Sequence, residues 1–87
     1  MKTIHKFKLD TGSQVQIQLT RESKILFFKI QNEIPCIWVL LDPDHDKVFD
    51  RVFSVIGTGW DIENPLNHSY IGTDISGGYV WHCFEIV

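Results

Sequence analysis

Hydrophobic and polar positions alternate along most of this chain, and the alternation predicts strands. From Thr3 to Leu9, His5, Phe7 and Leu9 fall on one face while Lys6 and Lys8 fall on the other. Gln14 to Thr20 alternates without a flaw, Val15, Ile17 and Leu19 against Gln14, Gln16 and Gln18. Asp10-Thr11-Gly12-Ser13 between them has turn chemistry, so the two runs read as a hairpin.

Arg21-Glu22-Ser23 leads into a third strand, Lys24 to Asn32. Its Leu26, Phe28 and Ile30 would form one face, with Ile25 and Phe27 on the other. Asn32-Glu33 turns into Ile34 to Leu41, which is apolar on both faces. Pro35 has no N–H for a ladder, so it belongs at a strand start or on an edge. Asp42-Pro43-Asp44-His45-Asp46 is the next turn, Lys47 to Ile56 resumes strand character, and Gly57-Thr58-Gly59 ends it. Trp60 to Ser69, with Asn64-Pro65 inside it, has no period. Tyr70 to Ile75, a turn at Ser76-Gly77-Gly78, and Tyr79 to Val87 complete the pattern. The expectation is all-β: a small antiparallel β-sandwich or barrel-like domain of about seven strands, with residues 1–87 a single β domain.

Composition agrees. Ile, Val and Thr number 11, 7 and 5, and alanine is absent. β-Branched side chains suit a pleated surface better than a helix. The runs near 25–30, 34–41 and 79–84 hold more apolar side chains than one inner face needs, and a domain of 87 residues is small. That surplus predicts a homo-oligomer, because exposed apolar patches mark contacts.

The net charge of −3 argues against nucleic-acid binding by the chain as a whole. A local stripe stays open, since Lys2, Lys6, Lys8, Arg21, Lys24 and Lys29 all lie in the first third. Cys36 and Cys83 sit in apolar runs and read as buried thiols. The opening Met-Lys-Thr-Ile-His-Lys-Phe-Lys lacks the apolar stretch of a signal peptide, and no run approaches a membrane span. The expected address is therefore cytoplasmic.

Candidate chemistry is sparse. Asp10-Thr11-Gly12 matches the short aspartic-protease signature, but only nine residues precede it, and turn chemistry explains the triplet. Asp42, Asp44 and Asp46 have the alternate spacing of a calcium loop. The loop's later Gly and Glu are replaced by Lys47 and Phe53, so that motif fails. His82 and Cys83 are adjacent, so in a strand they face opposite ways and cannot share a metal. His82 reads as a hydrogen-bonded core or interface histidine with His5 as a neighbour in the sheet. No catalytic residue, metal ligand or cofactor is assigned. The stretch from Gly57 to Tyr70 is the best binding loop. Thr58, Trp60, Asn64, His68 and Tyr70 supply donors and aromatic faces, and two glycines permit close approach. Packing of Trp60 on the sandwich end explains the same loop equally well.

The chain resembles a family of small phage- and prophage-encoded proteins of unknown function. The matching segments are Lys2-Thr3-Ile4, Lys24-Ile25-Leu26, Gln31 to Trp38, Leu41-Asp42-Pro43, Arg51-Val52-Phe53, Ile56 to Gly59, Tyr70 to Thr73 and Trp81 to Glu85. Members of that family tend to carry His where this chain has Trp60, which argues against a proton-transfer role for the loop. The resemblance implies an accessory protein that counteracts host defence by stoichiometric binding. It would sequester a nucleotide-type signal or mask a host protein, rather than act as an enzyme. A nucleotide would stack on Trp60 or Tyr70, with Arg51, Thr58 or His68 as polar partners. The alternative is a small virion or assembly component acting through self-association.

Overall fold

The computed structural model of the protein describes every residue except Asp46. Seven strands form among the described residues: β1 Thr3–Lys8, β2 Val15–Leu19, β3 Lys24–Gln31, β4 Ile34–Leu41, β5 Phe49–Gly57, β6 His68–Ser76 and β7 Tyr79–Ile86. They make two antiparallel sheets, one ordered β1-β4-β3 and the other β2-β5-β7-β6. A 3₁₀ turn at Pro65–Asn67 interrupts the long loop between β5 and β6. The all-β expectation is met, and the two-sheet stack is a sandwich.

The core lies between the sheets. Ile37, Val39 and Leu41 of β4 face Phe53 and Val55 of β5, with Ile17, Leu19, Phe28 and Cys83 filling in around them. Burying such side chains contributes about 1.5–3 kcal/mol each. β4 is the middle strand of its sheet and is apolar on both faces, with Trp38 and Leu40 of the outer one half-buried. That outer face, with Cys36, Trp38 and Leu40, is flanked on both sides by β1 and β3.

Three expectations need correction. β1 and β2 are not a hairpin: β1 pairs with β4 and β2 with β5. The Asp10–Ser13 segment instead carries the chain from one sheet to the other. Leu9 N–H donates to the Pro35 carbonyl of the first sheet, and Gly12 N–H to the Val55 carbonyl of the second. His5 and His82 therefore belong to different sheets and are not neighbours. In β3, the register shifts between Ile25 and Phe27, so Ile25, Phe28 and Ile30 point inward while Phe27 pairs with Trp38 outside. A β-bulge adds one residue and flips the faces beyond it.

The β3–β4 turn follows its residues closely. Asn32 and Glu33 both have positive φ, 52° and 68°, as a two-residue turn matched to strand twist requires. The edges β3 and β6 close one side of the sandwich. A Cβ at Gly72 would lie 3.3 Å from the Cβ of Phe28, so glycine lets β6 approach that closely.

Candidate functional site

The outer face of the four-stranded sheet carries a connected arrangement of polar and aromatic side chains. Register places Ile56, His82 and Thr73 in one row across β5, β7 and β6, and Ser54, Phe84 and Tyr70 in the next. His82 is the hub. Its Nε2 lies 2.7 Å from Thr58 Oγ1 and its Nδ1 2.9 Å from Thr73 Oγ1. Thr73 Oγ1 in turn lies 2.7 Å from the Tyr70 hydroxyl, and Thr58 Oγ1 donates to the Val80 carbonyl at 3.4 Å.

With a neutral ring protonated at Nε2, all four bonds run in one sense. Tyr70 donates to Thr73, Thr73 to His82 Nδ1, His82 Nε2–H to Thr58, and Thr58 to Val80. The chain of hydroxyls and imidazole thus fixes the orientation of each side chain on an exposed surface. Beside it, Phe84 is flanked edge-on by His68, ring centroids 5.5 Å apart, and by Tyr70 at 5.9 Å. The Tyr70 ring remains largely exposed.

Loop residues 60–63 border this face. Trp60 meets Trp81 edge-on, centroids 5.4 Å apart at 89°. A Cβ at Gly57 would lie 3.0 Å from the Trp60 indole, so glycine is needed where the ring folds back. Gly12, at φ 77°, lies against the six-membered-ring end of the same indole. Between the loop and the sheet runs an open groove of about 270 Å³, bordered by Gln14, Ser54, Ile56, Trp60, Asp61, Glu63 and His68. Its charged residues are the acids Asp61 and Glu63. His68 is held at the rim, its Nδ1 3.1 Å from the Asn64 carbonyl oxygen.

Four of the five residues expected to bind a ligand, Thr58, Trp60, His68 and Tyr70, therefore lie on or beside one face. Arg51 does not join them. Its Nε and Nη2 each donate to Glu85 at 2.7 Å, and Nη1 donates to the carbonyls of Ser23 and Thr20. The Glu85 carboxylate holds the guanidinium pKa above its ordinary value despite partial burial. Arg51 ties β5 and β7 to the β2–β3 loop. His82 and Thr73 were missing from the expected set, although the alternation of Val80, His82, Phe84 and Ile86 already placed His82 on this face.

The remaining motifs have local roles. Asp42 accepts from the Asp44 N–H as a turn residue, and Asp46 of the same triplet lies outside the described residues. Thr11 bridges to Val55 within the crossover. Among the described residues, no helix is long and apolar enough to cross a membrane.

Fold and surface together define a small two-sheet β-sandwich with an ordered polar and aromatic platform on its larger sheet. The chain belongs to the family described as a domain of unknown function, DUF7352, whose model matches residues 1–87. Neither the curated proteins nor the solved structures yield a match to it.

Proposed function

We propose that the protein acts by stoichiometric binding, as an accessory protein of the phage type that counteracts host defence in the cytoplasm by masking a protein partner. The observation that carries this reading is the Thr58–His82–Thr73–Tyr70 chain beside the Tyr70, Phe84 and His68 rings. Prearranged hydroxyl and aromatic groups lose little entropy on binding, and tyrosine is enriched at protein contacts. The sequestering of a nucleotide-type signal fits the site less well. Phosphates call for cations, and the charged residues of the groove are Asp61 and Glu63, with Arg51 committed to Glu85. The phage setting rests on the sequence resemblance.

A photo-crosslinking residue at position 70, compared with one at Gln16, tests the reading in cells that express the protein. Position 70 is expected to trap a protein that position 16 does not. That protein, once purified, should bind one to one and lose at least tenfold affinity to Tyr70→Ala and to His82→Ala. Identical products from both positions would overturn the proposal. Calorimetry with cyclic nucleotides and ADP-ribose separates the sequestering version, which needs saturable heat from one of them.

A further inference from the structure

The outer face of the three-stranded sheet has a different chemistry, and it is independent of the platform above. Register sets out its rows across β1, β4 and β3 as Ile4, Leu40, Lys24; then Lys6, Trp38, Phe27; then Lys8, Cys36, Lys29. Four of the nine positions are lysines and none is acidic. Trp38 and Phe27 lie side by side at the centre, ring centroids 5.8 Å apart and tilted by 49°. Phe27 is 55% exposed and Ile4 54%. Lys6 of β1 donates from Nζ to Gln31 Oε1 of β3 at 2.8 Å, so its side chain reaches across the outer face of β4. Asp74, near Lys29, accepts from the Ile30 and Ile75 N–H groups at the sheet edge.

The net charge of −3 conceals this separation. Four of the six basic residues of the first third, Lys6, Lys8, Lys24 and Lys29, collect on one sheet face around two aromatic rings. The bulge at Leu26 makes that possible, because it turns Phe27 outward beside Trp38. We infer that this face binds single-stranded nucleic acid: bases stack on Phe27 and Trp38 while Lys6, Lys8, Lys24 and Lys29 contact the phosphates. Charge complementarity selects an anionic partner, and the rings between the lysines select one that carries flat π surfaces along its anionic backbone. A flat sheet face presents no helix or ribbon to enter a duplex groove, which selects a single strand.

The test is fluorescence anisotropy with labelled oligo(dT) and oligo(rU) of roughly 12–16 nucleotides, at the upper end of what one small β fold covers. Saturable binding is expected, with quenching of tryptophan emission. The log–log salt slope should be about −2 to −3 if the four lysines meet three or four phosphates. Phe27→Ala and Trp38→Ala should each weaken binding at least fivefold, and the double change Lys8→Glu with Lys29→Glu should abolish it. Thermal melts verify folding; Phe27, being exposed, keeps the test open should Trp38→Ala not fold. Absence of binding at low salt overturns the inference. So does binding that the Phe27 and lysine variants leave unchanged, or equal binding of heparin that is indifferent to Phe27. Sedimentation showing a dimer that Phe27→Ala dissolves, without oligonucleotide binding, would assign the face to a second copy and overturn it too.

Discussion

The Asp74 carboxylate accepts a hydrogen bond from the Ile30 N–H at 2.9 Å, so a side chain of one sheet takes the place of a strand partner for the edge of the other. It also accepts from the Ile75 N–H at 2.9 Å. These two bonds hold the Asp74 pKa below the ordinary aspartate value. Asp74→Ala leaves the part-buried Ile30 N–H without its partner and should cost about 1–3 kcal/mol in urea unfolding. Asp74→Asn keeps one acceptor and should cost less. The sign of the pH effect follows from the lowered pKa. The contribution is present above the unfolded aspartate value and is lost as pH falls through the folded one. Wild type should therefore lose more stability than Asp74→Asn on acidification below the usual carboxylate range.

Arg51 and Glu85 form a bidentate pair that is mostly shielded from water, and Arg51 also serves two loop carbonyls. Removing either partner strands the other. Arg51→Ala or Glu85→Ala is expected to destabilise by about 2–3 kcal/mol, below the range for fully buried pairs because solvent still reaches both groups. Arg51→Lys should recover little, since an ammonium cannot reproduce the guanidinium fork. Denaturant midpoints at fixed m-value check this.

Gly57 and Trp60 should be coupled. In Gly57→Ala the new methyl meets the indole at 3.0 Å and pushes the ring off Trp81. Loss of an edge-on aromatic pair costs about 0.5–1.5 kcal/mol beyond buried area. Near-ultraviolet circular dichroism should lose the signal of the Trp60–Trp81 pair in this variant. Trp60→Ala should lose it as well, and a double variant should be little worse than either single one.

Burial pushes the Cys83 thiol up to about 12. The thiolate is the reactive form, so native protein should resist thiol reagents at pH 8 and react at Cys83 only on unfolding. Because this pKa is raised, its contribution to stability is intact below the ordinary thiol value and falls as pH rises from about 9 towards 12. Cys83→Ser should blunt that alkaline loss, read as the unfolding free energy across this range.

Strand existence was legible because period-two alternation marks β1 and β2, short apolar runs bounded by turn residues mark the others, and Asn32-Glu33 specified its hairpin locally. The β1–β2 connection was misread because Asp10-Thr11-Gly12-Ser13 suits a hairpin and a crossover alike. Turn residues record how a chain bends, and pairing is decided by which apolar face finds which partner. The bulge at Leu26 left no trace either, since Ile25 to Phe28 is an unbroken apolar run that fits either facing. At the candidate site, Thr58 and Tyr70 were readable as exposed donors near glycine. Their link through His82 and Thr73 depends on pairing between β6 and β7 with a shift at Ile71, which no local pattern contains.

The crossover at Asp10–Gly12 also governs how the molecule comes together in time. Only β3–β4 and β6–β7 are joined by two-residue turns, and these hairpins can form in about 1–10 μs. β1 has no edge to dock on until β4 is in place, and β2 must wait for β5, each partner lying some thirty residues along the chain. Closing such loops delays the reward of contact, which places folding in the millisecond-to-second range of β-sandwiches. Until then the N-terminal strands stand as unpaired edges beside a half-built core, so the first twenty residues are where aggregation during synthesis would begin.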